Sequence, residues 1–180
     1  RAGVNDARAY LAAFAFLRDA IPPRMTRMVA TAQSIESGLP LLLMDTAPAA
    51  VLGAWEDPRA REASSVLVAN LGNFHTLAFH LGDGRVRGVF EHHTGELTKE
   101  ELETYLEKLA RGIITNEEVF ADMGHGALVF DANAPAPNHL VVIGPRRGLL
   151  RGSRLNPYFA VPHGDMMLAG CFGLVRAFGY

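Results

Sequence analysis

Residues 64–93 read SSVLVANLGNFHTLAFHLGDGRVRGVFEHH, and the fold class follows from how they divide. Three runs rich in aliphatic, β-branched and aromatic residues, SSVLVANLG, HTLAFHLG and RVRGVFEHH, are separated by Asn73-Phe74 and by Asp83-Gly84. Asp-Gly readily takes the positive φ angles of a tight turn, so the runs predict a meander of three strands paired antiparallel.

Outward from this meander the pattern changes to helix. TKEELETYLEKLARG carries a capping box, Thr98 with Glu101, then an apolar stripe of Leu102, Leu106 and Leu109, and ends at Gly112. TNEEVFADMGHG predicts a further short helix. ALVFDA and HLVVIGPRRG predict two strands around a Pro-rich loop, and GDMMLAGCFGLVRAFGY a closing apolar helix.

Upstream, NDARAYLAAFAFLRDA has Asn5 or Asp6 as a cap and Tyr10, Leu11, Phe14, Leu17 and Ile21 at helical spacing, stopped by Pro22-Pro23. A second helix is expected over 24–37, ended by Gly38. LPLLLMDTA reads as a strand buried on both faces, and PAAVLGAWED as a short helix with Pro48 in its first turn. The whole predicts one α/β domain over 1–180, a mixed sheet with an antiparallel meander flanked by helices on both faces.

At 180 residues and 49% hydrophobic, the chain is long enough to bury one good core. A formal charge of -2 leaves no basic stripe for phosphate backbones, which argues against nucleic acid as a partner. Cys171 is the one cysteine, so no intrachain disulfide or cysteine cage is available, as expected for a cytoplasmic protein. No apolar run approaches the roughly 18 residues of a membrane span, so no membrane is expected. The opening at Arg1, running straight into a helical pattern, suggests a piece of a longer protein.

Two groups of motifs carry a resemblance. DTAPAAVLGAWED followed by VLVANLGNFHTLAFHLGDGRV is similar to the second-domain signature of the actin-like ATPase superfamily, which includes sugar kinases and heat-shock chaperones. That resemblance implies a ribonuclease H-like fold, an Ala-rich helix between two domains, and a D-x-G-x-x-x-T hairpin around nucleotide phosphates. VVIGPRRG and GDMMLAGCFGLV take the places of the adenosine-side strand end and the closing helix. More narrowly, GNFHTLAFHLGDGRVRGVFEHHTG, GHGAL, GPRRG and PHGDMMLAGCFGLV look like an uncharacterised family labelled "putative pyruvate formate-lyase activating enzyme". Its members begin with another Asp-Gly hairpin in a first domain. The resemblance therefore implies that this chain is a C-terminal half, with the missing N-terminal domain as its partner and ATP with Mg as the cofactor. A radical activating enzyme needs three closely spaced cysteines for its iron–sulfur cluster; with Cys171 alone, this chain is expected to carry none.

Residue by residue, the nucleotide reading uses Asn70, Gly72, Asn73 and Thr76 of the hairpin and Gly144 of the later corner. Glycines let backbone N–H groups approach an anion, and a Thr hydroxyl adds a donor. Asn70 stands where the superfamily has Asp, and it supplies neither charge nor a base. Arg146 and Arg147 in GPRRG could fork onto a phosphate or carboxylate, or pair with acids in a solvated turn.

The histidines form a second constellation: His75, His80, His92, His93, His125 and His163. By strand alternation His75 and His80 point to opposite faces, as do His92 and His93, so at most one of each pair joins a site. Glu91, His93, His125, His163 and Asp165 are the candidate metal ligands, against the alternative of hydrogen-bonded loop and strand-end residues. Asp45 is expected to cap a helix. Three functions stay open: nucleotide-dependent chemistry at an interdomain cleft, a metal- or anion-dependent enzyme, and a non-catalytic partner-binding module, with self-association into a homo-oligomer open in each.

Overall fold

The computed structural model describes residues 11–62, 65–83 and 85–179. β3 (Ser65–Leu71), β4 (His75–Gly82) and β5 (Arg85–His93) form the expected antiparallel meander, with Leu71 opposite Thr76 and His75 opposite His93. β6 (Gly126–Val129) adds antiparallel to β5, while β7 (His139–Ile143) pairs parallel to β3 and β8 (Tyr158–Phe159) parallel to β7. The order across the six-stranded sheet is β6-β5-β4-β3-β7-β8. The domain is therefore α/β with a mixed sheet.

β3 alternates strictly. Val66 and Val68 face one core with Leu81, Val141 and Ile143, while Leu67, Ala69 and Leu71 face a second core with Ala78, Phe90 and Val142. Two helices cover the first face: α2 (Thr46–Ala54), whose residues from Ala47 onward are all buried, and α6 (Ala169–Phe178). An all-apolar helix of this kind survives only where it is enclosed. α4 (Lys99–Ala110) covers the second face, started by the expected Thr98–Glu101 capping box, and α5 (Asn116–Ala121) follows it. α3 (Pro58–Arg61) buries Ala60 in the first core, and α1 (Thr26–Ser34) buries Ala32.

Three expectations need correction. The first helix does not run to Ile21. Residues 5–10 lie outside the described part, and Ala15–Leu17 is a strand, β1, followed by a 3-10 turn at Arg18–Ala20. β1 pairs antiparallel with β2 (Leu42–Met44), Phe16 opposite Leu43, so a ladder partner overrides the helical spacing. β2 is half-buried rather than enclosed, because it belongs to this separate two-stranded ribbon. The second helix covers Thr26–Ser34, shorter than 24–37.

The closest packing is between α2 and α6. A Cβ on Gly53 would lie 1.7 Å from the Ala169 carbonyl oxygen, and one on Gly173 would lie 1.8 Å from that of Ala49. Backbone touches backbone at this crossing. Gly173→Ala is expected to force the helices apart at about 3 kcal/mol, lowering the Tm by roughly 6–12 °C; an unchanged melting curve would refute the crossing.

His80, 1% exposed, lies on the opposite face from His75, with Nε2 3.4 Å from the Ser65 hydroxyl. Burial, aided by the nearby Arg87 charge, holds it below the ordinary histidine value of 6.5. The unfolded chain thus takes up a proton that the folded chain refuses, and stability falls as pH drops below about 6.5. Thermal melts between about pH 7 and pH 5 should show a shallower decline in His80→Gln than in the wild type; equal slopes would refute this.

Candidate functional site

Alternation along the meander decides which side chains meet. Asn70 shares a face with Val66 and Val68 and stands opposite Leu77, which in turn stands opposite Glu91. His75 and His93 continue the same face toward the hairpin end. On that side the α2–α6 layer stops, and α1, the end of β2 and the start of α2 form the opposite wall. The result is a cleft of about 920 Å³ lined by Arg27, Asp45, Thr46, Asn70, His75 and Glu91, among others.

Beside Asn70 and Gly72 of its lining, two corners are joined. β3 ends at Leu71 and turns through Gly72, whose N–H donates to the His75 carbonyl at 2.9 Å. A Cβ on Gly72 would sit 2.7 Å from that carbonyl oxygen, so the turn requires glycine. β7 ends beside it: Ile143 pairs with Asn70, and the Arg146 N–H donates to the Leu71 carbonyl at 2.9 Å. Gly144 has φ +99°, and a Cβ there would lie 2.3 Å from the Leu71 oxygen and 2.8 Å from Asn70 Oδ1. The hairpin and the glycine–arginine corner are one structural unit.

The candidate anion ligands are not all presented together. Asn70 and Gly72 line the cleft, Asn73 is exposed at the hairpin tip, and Gly144 lines a smaller adjoining pocket with Asn70. Thr76 is turned to the opposite face, fully buried, with its hydroxyl 3.0 Å from that of Thr94. Arg147 donates to the Ala160 carbonyl at 2.8 Å, tying the corner to the segment after β8, whereas the Arg146 side chain is exposed. Asp45 caps α2 as expected, its carboxylate accepting from the Ala47 N–H at 3.3 Å.

At the other end of the cleft three histidines converge. The ring centroids of His75, His93 and His125 lie 4.8 Å (His75–His125), 4.5 Å (His93–His125) and 5.2 Å (His75–His93) apart. One nitrogen from each of the three can be chosen so that all lie within 4.8 Å of one another. His75 Nδ1 is 2.9 Å from Glu91 Oε1, and the His125 N–H donates to the Glu91 carbonyl at 2.9 Å. The glycines of GHG place His125: Gly126 has φ +123°, and a Cβ on Gly124 would lie 2.5 Å from the His92 ring.

A β-bulge between His80 and Leu81 selects His93. Near the turn Leu81 pairs with Val86, but beyond the bulge His80 pairs with Gly88, so that His75 meets His93 rather than its neighbour. His92 lies on the other face, buried against Tyr105, with Nδ1 3.1 Å from the His93 carbonyl oxygen and Nε2, without a hydrogen bond of its own, 3.4 Å from Asp122 Oδ2. Burial and the Asp122 carboxylate, which accepts from its hydroxyl at 2.8 Å, push Tyr105 far above the ordinary phenol value.

His163 and Asp165 do not join His93 and His125. His163 packs on Phe172 with Nε2 3.6 Å from Glu56, and Asp165 accepts from the Met167 N–H at 2.8 Å, capping a 3-10 turn. Both sit in the approach to α6, beyond β8, and neither lines the cleft. His75 was the ligand missing from the sequence-derived set; its position opposite His93 was the signal, and that depended on the bulge.

No curated protein matches the chain. A family profile does match, over residues 4–149, a stretch that holds every residue lining the cleft and all three clustered histidines. That profile is described as "Putative pyruvate format-lyase activating enzyme (DUF1786)", and the chain belongs to this family.

Proposed function

We propose that the chain is an actin-like ATPase-type, ribonuclease H-like domain whose cleft takes a phosphate-bearing ligand, with ATP and Mg the pair that the resemblance implies. The observation that carries this is the fusion of the two corners: Gly144 lies against Leu71 and Asn70, and Asn70 faces the cleft. A meander continued by parallel strands, with a buried Ala-rich helix on one face and an apolar helix closing the chain, supports the same reading.

Within this reading the roles follow from chemistry. Asn70 offers amide hydrogen bonds, Thr46 a hydroxyl and Arg27 a charge from the facing wall. Since Asn70 cannot act as a base, the carboxylates available to hold Mg or orient a water are Asp45 and Glu91. Thr76 and Arg147 are excluded from ligand contact by their buried and backbone-directed bonds. Radical activation is not part of the proposal, because this chain's one thiol cannot hold the cluster. The proposed partner is a preceding domain of the same protein, which would close the cleft in a cytoplasmic setting; self-association through the same open side is the alternative use of that surface.

Calorimetric titration of the longest available form of the protein with MgATP tests this. Binding should weaken by about tenfold in Asn70→Ala, the loss of a hydrogen-bonded contact of roughly 1.4 kcal/mol. Arg147→Ala should lower the Tm and leave affinity unchanged. Absence of heat with the wild type, or equal affinity in Asn70→Ala, would overturn the proposal.

A further inference from the structure

We propose that His75, His93 and His125 bind a divalent transition metal, Zn2+ being the probe of choice, with Glu91 positioning His75 and one coordination place left open to the cleft. This site is independent of whether the cleft takes a nucleotide.

Distance is the first argument. Three nitrogens on one tetrahedral Zn2+, each about 2.0–2.1 Å from the ion, stand about 3.3 Å from one another. One nitrogen from each ring already lies within 4.8 Å of the other two, and rotation of exposed rings about their side-chain bonds closes the rest. His75 and His125 are exposed and His93 is half-buried, so the movement meets no packed core.

The backbone supplies the second argument. Three separate segments deliver the rings, and each is fixed. β4 and β5 hold His75 and His93 as a cross-strand pair, and the Thr94 N–H pins the end of β5 to the Phe74 carbonyl at 2.7 Å. His125 is held by its bond to Glu91 and by two glycines that tolerate no side chain. A site mounted on paired strands loses little entropy when an ion arrives.

Bonding within the cluster leaves ring nitrogens unused: among the described residues the rings of His93 and His125 make no hydrogen bond, and His75 alone has a polar partner, Glu91. A metal ion uses all three lone pairs. With Nδ1 on Glu91, His75 presents Nε2 to the ion, the carboxylate–histidine arrangement that fixes ring orientation and raises ligand basicity.

Ligand chemistry selects the class of ion. Imidazole suits zinc, copper, nickel and iron, whereas Mg and Ca take oxygen. Three protein ligands with a free position is the pattern of a reactive site rather than a closed structural one. Since His75, Glu91 and His125 line the cleft, that position faces the ligand space, where a water or a phosphate or carboxylate oxygen can complete the shell.

The test strips the protein with a chelator and titrates it with Zn2+ alone by calorimetry, using Co2+ as an optical probe of coordination. One ion per chain and the intense visible bands of tetrahedral Co2+ are expected from the wild type. His93→Ala and His125→Ala should abolish uptake, Glu91→Gln should weaken it about 10–100-fold, and His163→Ala should leave it intact. Circular dichroism checks that each variant folds, and the Co2+ spectrum of the wild type needs no variant. No stoichiometric uptake, uptake retained in both His93→Ala and His125→Ala, or equal loss in His163→Ala would overturn the site. Zn2+ uptake without MgATP binding would uphold it while removing the phosphate reading, and the reverse result would do the opposite.

Discussion

The domain depends on β3 being paired on both edges and covered on both faces. Antiparallel pairing with β4 and parallel pairing with β7 satisfy its backbone groups, while α2 and α4 enclose its alternating side chains. With both edges used, β3 can end in only one way: its last carbonyl, Leu71, is taken by the Arg146 N–H, and its chain must turn at Gly72. That constraint brings the hairpin and the glycine–arginine corner together. It also fixes β4, and through β4 the ladder that carries His75, Glu91 and His93.

Much of this was legible where the determinant is local. The meander, the Thr98–Glu101 helix and the Asp45 cap follow from alternation, turn residues and side-chain capping, which act over a few residues. Where the determinant is distant, local reading failed. Ala15–Leu17 has helical spacing, and only the later Leu42–Met44 segment makes it a strand. β6 and β7 are near in sequence yet stand on opposite sides of the meander, because β6 finds an edge at β5 and β7 finds one at β3. β8, two residues long, is too short for any period to register.

The candidate site divides along the same line. Alternation alone separates His75 from His80 and His92 from His93. Which of the latter pair meets His75 depends on one bulged residue, Arg87, a feature no periodicity announces. His163 and Asp165 resembled the others because each stands beside a glycine at a strand end. Their distance from the cluster comes from β8 and the loop that leads to α6, which carry that segment away from β5.

Electrostatics links the two ends of the cleft. Asp45 and Glu91 both line it, and Arg27 is the one cation among its lining residues. A phosphate entering beside two carboxylates meets repulsion that a single arginine on the facing wall only partly offsets, in a space where water screens less than in bulk. An aspartate at position 70, packed against Gly144 and the Leu71 carbonyl, would add a third like charge, and asparagine avoids it. A divalent ion changes the balance. Held by neutral imidazoles, it brings two positive charges to the cleft without consuming a carboxylate. Were both proposed sites to be filled, each would still stand or fall by its own ligands, and the charge of an ion at the histidines would favour an anion at the corners.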